Sequence, residues 1–225
     1  MAQETCSSSS SSIQKWCYDA FVSFHGDDTR KSFTDHLFAT LYRGGILTFR
    51  DDRELERGKA IWPELENAIM TSRIAVIVFS ENYAASKWCL DELEKIMECN
   101  RSLQQIVLPI FYLVDPSELQ TQEGGLAEVF AKHKELFGEE KVRRWRADLT
   151  EAAHLSGWDS QNVANGFESE LIEKIIGDIS NKLNREYFMV AHYPVGLESR
   201  MQNLSKLLNS DSSDVRMVGI VEDRA

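Results

Sequence analysis

Residues 74–93 read IAVIVFSENYAASKWCLDEL, and this stretch decides the fold. It opens with the uninterrupted apolar run Ile74 to Phe79, which is typical of a strand covered on both faces of a parallel sheet. A polar turn follows, and the segment from Ser86 onward has the pattern of a helix. On that helix Trp88 and Glu92 stand four residues apart, so the indole and the carboxylate share one face. The stretch therefore predicts a strand, a turn and a helix that presents an aromatic and an acidic side chain together.

Strand and helix patterns alternate along the rest of the chain. Apolar runs with strand character occupy residues 18–24, 46–49, 74–79 and 106–113, and a fifth strand is placed around residues 153–157. Helical spacing of apolar residues fills the intervals between them. This alternation predicts an α/β domain with a flavodoxin-like, doubly wound parallel sheet and helices on both faces.

The predicted topology also places a ligand site. In a flavodoxin-like sheet, ligands bind outside the carboxyl ends of the first and third strands, where the strand order reverses. The loops that follow those strands are residues 25–28 and 80–83. The helix of Trp88 and Glu92 follows the second loop, so we expect both side chains beside the ligand crevice. A phosphorelay receiver shares this fold but needs an aspartate at the end of the third strand, where this chain has Ser80, so that class is set aside.

Composition excludes several classes of protein. The 225 residues are 43% hydrophobic, which is enough for one ordinary domain with a core. A formal net charge of −11 argues against a general binder of nucleic acid or of an anionic membrane. No apolar run approaches the roughly 20 residues of a membrane span, and the first residues lack the apolar core of a secretory signal. We therefore expect an intracellular protein, cytoplasmic or nuclear.

The four cysteines are expected to be reduced packing residues rather than metal ligands. Their spacing matches no zinc motif, and two of them fall on or near the helix of Trp88 and Glu92. We expect no metal site. The cysteines are Cys6, Cys17, Cys89 and Cys99.

The chain divides by composition into three parts. Residues 7–12 are all serine, so residues 1–14 are predicted to form a disordered Ser-rich leader. The strand and helix patterns lie within residues 15–185, the predicted main domain. Residues 186–225 lie beyond the last of these patterns.

The motifs of the central part resemble those of plant TIR domains, which form the N-terminal part of TIR-type nucleotide-binding leucine-rich-repeat disease resistance proteins. Several separated motifs occur in the family's order. They are residues 18–24, 26–30, 51–52 with 54–58, 86–93, 115–117 and 145–146 with 152–158. The resemblance implies that residues 15–185 are a TIR domain with the TIR fold.

The segment after the central part resembles the entry to the nucleotide-binding domain of the same receptors. Residues 193–200 are similar to the linker that precedes that domain, and residues 215–220 are similar to its first strand. No Gly-rich loop ending in Gly-Lys-Ser or Gly-Lys-Thr follows this run. The resemblance therefore implies that residues 186–225 hold a linker and a truncated domain start without a P-loop, and that ATP is not bound.

The resemblance implies an NAD+ glycohydrolase, with Glu92 at the position of the family's catalytic glutamate. Loss of nicotinamide from NAD+ or NADP+ passes through an oxocarbenium-like centre, which one carboxylate can stabilise. Nicotinamide leaves as a neutral molecule, so no general acid is needed. NAD+ would be a substrate, and no permanently bound cofactor is expected. From the residues alone, Glu92 has an alternative interpretation as a solvent-facing carboxylate near a helix N-terminus.

The first loop and the indole of the later helix are the implied contacts of the nucleotide. Gly26 would let the backbone approach the ligand, and Arg30 would pair with a phosphate. Two alternatives remain open: Arg30 pairs with Asp27 or Asp52, and Trp88 fills the core. His25 departs from the family, which has arginine there, and it would be a weaker phosphate clamp. The implied substrate-binding residues are Phe24, His25, Gly26, Arg30 and Trp88.

The resemblance also implies partners. Asp35 and His36 occupy the position of a self-association surface, although Asp35 replaces a small residue usual in the family. Other TIR domains, in homo- or hetero-oligomers, and a full-length TIR-type immune receptor are the expected partners, with activity dependent on oligomerisation. The alternative to an enzyme is a non-catalytic interaction module that docks onto full-length receptors.

Overall fold

The structure, a computed structural model, describes residues 16–49, 61–163 and 167–183. The predicted leader, residues 1–14, and the predicted linker and domain start, residues 186–225, lie outside these ranges. The same holds for Asp52, one of the partners considered for Arg30. The boundaries proposed for the three parts of the chain therefore stay predictions.

A parallel sheet forms the centre of the domain. Its strands are β1 (Tyr18–Phe24), β2 (Ser72–Phe79), β3 (Ile106–Phe111) and β4 (Trp158–Asp159), adjacent in that order and all parallel. Outside β1 a single parallel bridge joins Ala20 to Thr48. The segment with the bridge corresponds to the predicted second strand, so the spatial order agrees with the flavodoxin-like pattern.

Several strand boundaries differ from the predictions. The run predicted as residues 46–49 is reduced to the bridge at Thr48, and β2 begins earlier than predicted, at Ser72. β3 ends at Phe111 because Leu113 has a φ of 58°, which is left-handed and incompatible with a strand. The fifth strand expected around residues 153–157 lies instead at Trp158–Asp159. Ala153 is buried and completes the apolar face of the preceding helix, which delays the strand.

Helices cover the sheet on both faces. They are α1 (Gly26–Thr29), α2 (Phe33–Arg43), α3 (Ile61–Met70), α4 (Lys87–Leu103), α5 (Pro116–Thr121), α6 (Gly125–Phe137), α7 (Glu139–Ala153) and α8 (Glu168–Lys182), with a 3₁₀ turn at Tyr83–Ala85. One core joins the sheet to α3, α4, α6 and α7, and a second joins it to α2 and α8. Alternate residues of β2 enter the two cores, with Ala75 and Ile77 on one side and Val76 and Val78 on the other. The predicted doubly wound fold is confirmed.

The start of α4 is set by a local cap. The Ser86 side chain accepts a hydrogen bond from the backbone N–H of Cys89 at 3.3 Å, which satisfies one of the unpaired donors of the first turn. The helix therefore begins at Lys87, directly after the 3₁₀ turn. This start places Trp88 in the first turn and Glu92 one turn later, beside the carboxyl end of β1.

Candidate active site

A cleft of about 130 Å³ opens between the carboxyl end of β1 and the first two turns of α4. Of the six residues predicted to bind substrate or catalyse, His25 does not line the cleft. The structure brings the other five together there: Phe24, Gly26, Arg30, Trp88 and Glu92. The expectation that the Trp88 and Glu92 helix borders the sheet's ligand crevice therefore agrees with the geometry, while the substrate roles of these residues stay predictions.

Glu92 lies deep in the cleft. Its exposed fraction is only 7%, although it stands on a helix that carries charged residues on its outer side. The Ser23 hydroxyl donates a hydrogen bond to Glu92 Oε2 at 2.5 Å. A buried carboxylate is costly without such donors. The interpretation of Glu92 as a solvent-facing helix carboxylate is therefore wrong.

Two buried hydroxyl groups stand behind Glu92. The Tyr83 hydroxyl lies 2.7 Å from Ser23 Oγ, and it also reaches the backbone carbonyl of Cys89 at 3.2 Å. Burial raises the pKa of Tyr83 well above its usual value of 10, and the nearby Cys89 and Glu92 raise it further, so the phenol keeps its proton. Sequence reasoning missed both residues. The signal for Ser23 was a hydroxyl within the buried apolar part of β1 that begins at Ala20; Tyr83 carried no comparable signal.

Cys89 lines the cleft beside Glu92 but is not a nucleophile. Burial raises the pKa of its thiol to about 12, and the charge of Glu92 adds to the shift. A thiol reacts through its thiolate, so this cysteine is inert at neutral pH. Cys17 and Cys99 are also free thiols. Cys99 is buried, as predicted for a packing residue, but Cys17 is exposed, so the packing prediction is wrong there; Cys6 falls outside the described ranges. Among the cleft residues, the carboxylate of Glu92 is the group suited to stabilise a developing positive charge.

The walls of the cleft are aromatic and cationic. Trp88 is 43% exposed and meets Trp62 edge-to-face with ring centroids 5.6 Å apart, so its interpretation as a core-filling residue is wrong. The Arg30 guanidinium carbon lies 5.1 Å from the centroid of the Phe24 ring. A Cβ on Gly26 would stand 3.2 Å from Arg30 Nε, closer than usual contacts allow. The missing side chain of Gly26 thus makes room for the guanidinium.

His25 contacts the loop beside the cleft instead of lining the cleft. Its Nδ1 lies 3.1 Å from Asp28 Oδ1. Asp28 in turn accepts hydrogen bonds from the Ser80 hydroxyl at 2.6 Å and from the Asn82 backbone N–H at 2.9 Å. Burial alone would raise the pKa of Asp28, but these bonds outweigh it and hold the pKa at about 2. Asp28 therefore ties the loop after β1 to the loop after β2.

The opposite side of α4 carries a network of ion pairs with α7. Asp91 pairs with Lys87 and, at 2.8 Å, with Lys141. Glu94 pairs with Lys141 at 2.5 Å and with Arg144 at 2.7 Å. Burial would raise the pKa of Asp91, but its bonds to the two lysines lower it. Asp91 consequently does not share the cleft, where Glu92 supplies the carboxylate.

The predicted self-association residues lie away from the cleft. Asp35 and His36 are exposed on α2, on the side opposite its buried residues Leu37 and Leu41. Within the described ranges, no three acidic, histidine or cysteine side chains are grouped as metal ligands would be. None of the helices in those ranges is long and apolar enough to cross a bilayer. The expectations about metals, membranes, nucleic acid and ATP stay predictions.

The fold and the cleft define a doubly wound α/β domain with a buried carboxylate at the carboxyl edge of its sheet. The family model of the TIR domain matches residues 17–191. The chain therefore belongs to the TIR domain family, and the resemblance drawn from the sequence motifs is confirmed.

The relatives of this chain include plant disease resistance proteins. It is 52% identical over 215 residues to disease resistance protein RPV1 of Vitis rotundifolia, in an alignment that covers 95% of this chain and 15% of RPV1. It is 44% identical over 214 residues to TMV resistance protein N of Nicotiana glutinosa, covering 94% of this chain and 18% of that protein. The chain thus spans less than a fifth of the length of these two relatives.

A solved structure shares both the fold and the sequence. The TIR domains in the structure of the activated Roq1 resistosome directly recognizing the pathogen effector XopQ match this chain with a TM-score of 0.69 and 51% identity. The match covers 72% of this chain and 99% of that one. The TIR fold of this chain is confirmed.

Proposed function

We propose that this chain is a TIR-domain NAD+ glycohydrolase of plant immune signalling, with Glu92 as its catalytic residue. The observation that carries the proposal is a buried carboxylate in a cleft that also presents an indole and a guanidinium. Such a set suits a ligand with a flat cationic ring, a ribose and phosphates. NADP+ offers the same reacting centre and is the second substrate to test.

The proposed reaction breaks the bond between ribose C1′ and the nicotinamide nitrogen. The electron pair goes to the ring, whose positive charge is neutralised, and positive charge develops on the ribose. Glu92 stabilises that charge across the cleft, where partial burial strengthens the attraction relative to water. Water then adds to C1′ and releases a proton, giving nicotinamide and ADP-ribose; an internal nucleophile in place of water gives a cyclic product.

The cleft is small for the whole substrate. Its volume of about 130 Å³ is below the roughly 300–1,000 Å³ of typical ligand pockets. One ring or pentose fits beside Glu92, and the remaining parts of a dinucleotide extend past Trp88 and Arg30. The half-exposed indole then offers a stacking surface, and Arg30 a cation for the phosphates.

Activity is proposed to depend on association of TIR domains in the cytoplasm or nucleus. The relative of known structure belongs to an activated resistosome, which is an assembly. Other TIR domains and full-length receptors are the proposed partners, and Asp35 and His36 on the exposed side of α2 are the proposed contacts. Nicotinamide release should then rise faster than linearly with protein concentration.

The test is release of nicotinamide from NAD+ by the purified chain, compared with Glu92→Gln. The matched control is Glu98→Gln, which makes the same change of charge on an exposed site of the same helix. Turnover by the parent and the control, with loss in Glu92→Gln, is the expected result. Absence of turnover in the parent at high concentration with a crowding agent would contradict the proposal.

The alternative is a non-catalytic interaction module. The observation that favours it is the position of His25. Its side chain contacts Asp28 and does not line the cleft, so position 25 supplies no cation to a phosphate bound there. In that case Glu92→Gln would associate with TIR partners as the parent does, while neither protein would release nicotinamide.

A further inference from the structure

Three buried side chains from three elements form one hydrogen-bonded chain that ends on Glu92. Ser23 lies in β1, Tyr83 in the 3₁₀ turn before α4, and Glu92 in α4. Ser23 and Tyr83 are wholly buried. The distances are 2.7 Å from Tyr83 Oη to Ser23 Oγ and 2.5 Å from Ser23 Oγ to Glu92 Oε2. Tyr83 Oη also lies 3.2 Å from the carbonyl oxygen of Cys89.

The proton count sets the direction of this chain when Glu92 is ionised. A carboxylate only accepts hydrogen bonds, so the single Ser23 proton must point to Glu92. The contact between Tyr83 and Ser23 then needs the Tyr83 proton. The order of donation is therefore Tyr83 to Ser23 to Glu92, and two polarised hydroxyls stabilise the charge at Oε2.

The same atoms also accommodate protonated Glu92. A proton on Oε2 can be donated to Ser23, whose own proton turns to Tyr83, and the Tyr83 proton turns to the Cys89 carbonyl. A proton on the other carboxyl oxygen leaves the chain as it was, because Oε2 still accepts from Ser23. In each case every hydroxyl of the chain has a donor or acceptor partner, which is the condition for a buried polar network to be stable.

We propose that Ser23 and Tyr83 are positioning residues that hold Glu92 in the cleft and let it gain and lose a proton, so that Glu92 is the proton acceptor of the hydrolytic step. The inference rests on the proposed glycohydrolase function and deepens it. When water adds to ribose C1′, its oxygen forms the new C–O bond, and the O–H bond that breaks passes its proton to Glu92. Glu92 then returns the proton to solvent before the next turnover.

The other titratable and charged groups around Glu92 are suited to this role. Tyr83 and Cys89 face it and stay protonated, since burial and the charge of Glu92 raise the pKa of both. Arg30 lines the same cleft from the loop after β1, and Asp28 acts on Cys89 from the neighbouring loop. Among the residues that the structure describes, proton exchange in the cleft thus centres on Glu92.

The direct test is titration of Glu92 by carbon NMR on the protein labelled at the glutamate carboxyl carbons. The Glu92 resonance is assigned by its loss in Glu92→Gln. Ser23→Ala should raise the Glu92 pKa by about one unit, a tenfold rise in proton affinity, because the carboxylate loses the hydrogen bond from Ser23. Tyr83→Phe should raise it less. Ser72→Ala, which removes a buried hydroxyl of β2 bonded to Ala68, is the matched control and should leave it unchanged.

The kinetic arm is the pH profile of NAD+ turnover. Ser23→Ala should move the acidic limb of kcat upward by the same amount as the NMR shift, with KM changed less than kcat. A Glu92 titration in Ser23→Ala equal to that of the Ser72→Ala control overturns the proposal. If Ser23→Ala does not fold, Tyr83→Phe decides, and an unshifted Glu92 in that variant has the same consequence.

Failure of this inference is distinguishable from failure of the proposed function. The NMR titration needs no turnover, so it reports on the hydrogen bonds from Tyr83 through Ser23 to Glu92 even if the parent does not release nicotinamide. Suppose that the parent is active, Glu92→Gln is inactive, and Ser23→Ala changes neither the Glu92 titration nor the pH profile. That result supports the glycohydrolase function and contradicts the positioning role of Ser23.

Discussion

The two sides of α4 hold their carboxylates in different ways. On the cleft side, Glu92 receives a hydrogen bond from the hydroxyl of Ser23. On the side that packs against α7, Asp91 is held by the ammonium groups of Lys87 and Lys141. The Ser23 hydroxyl stabilises the carboxylate of Glu92 without carrying a charge itself, whereas the two ammonium groups offset the charge of Asp91. The difference teaches that adjacent acidic residues of one helix can serve chemistry and structure separately.

The largest expected effect separates the two carboxylates by activity. Glu92→Gln should lower NAD+ turnover by about 10²–10³-fold or more, the scale of losing an electrostatic group at a reacting centre. Asp91→Asn should keep turnover within a few-fold of the parent, because its partners, Lys87 and Lys141, lie on the side of α4 that faces α7. Nicotinamide release by both variants at equal concentration measures the contrast. Equal loss in both would break the comparison.

The next effect concerns Asp28, which like Asp91 holds structure. Its folded pKa of about 2 lies below the ordinary value of 3.8, so folding favours its charged form. The stability that ionised Asp28 gives to the folded protein is therefore fully present above the pKa of this residue in the unfolded state. It is lost as the pH falls through the pKa of Asp28 in the folded state. The shift corresponds to about 2 kcal/mol of unfolding free energy at neutral pH.

Urea unfolding of the parent and Asp28→Asn measures this contribution. The variant should be less stable by up to that amount at neutral pH, and the difference should close as the pH approaches the folded pKa of about 2. A difference that stays constant over the acidic range would show that the charge of Asp28 is not what ties the two loops together.

A smaller effect is expected from a change at His25, which lies in the loop beside the cleft. Replacing it with arginine supplies a permanent cation with a planar donor group on a longer side chain, directly before Gly26, which lines the cleft. His25→Arg should lower the KM for NAD+ by about fivefold, which corresponds to about 1 kcal/mol. Initial rates over a range of NAD+ concentrations test this. An unchanged KM would mean that position 25 does not meet the substrate.

The smallest effect is expected on the ion-paired side of α4. Lys141→Met removes one of the two cationic partners of Asp91 and of Glu94 but keeps an apolar side chain over Trp145. Partly exposed ion pairs contribute about 0–1 kcal/mol each, so the loss of unfolding free energy should be of that order and should shrink at high salt. Turnover should not change. A loss of turnover would show that the two sides of α4 are coupled.

Much of the fold was predictable because its signals are local. The continuous apolar run of β2 indicated a strand buried on both faces, and helical spacing indicated the elements between strands. The prediction failed where a short segment is shaped by its neighbours. β4 has two residues, and its place next to β3 depends on pairing rather than on its own pattern.

The candidate site was predictable only in part. Glu92 and Trp88 followed from helical spacing and from the family motif, and the structure places both in the cleft. Ser23 and Tyr83 were missed, since 60 residues separate them and no local pattern pairs them. His25 was predicted at the substrate, and its contact with Asp28 arises because residues 26–29 form a helical turn directly after it.

The sequence by itself determined the order of strands and helices, the family and the face of α4 that carries Trp88 and Glu92, because periodicity and motif spacing are properties of the chain. Only the tertiary structure decided that Glu92 is buried while Asp91 is paired with Lys141, and that two hydroxyls stand behind Glu92. Burial and donor contacts depend on β1, the 3₁₀ turn and α7 meeting α4 in space. These tertiary contacts, rather than residue type, distinguish a carboxylate placed for chemistry from one that supports packing.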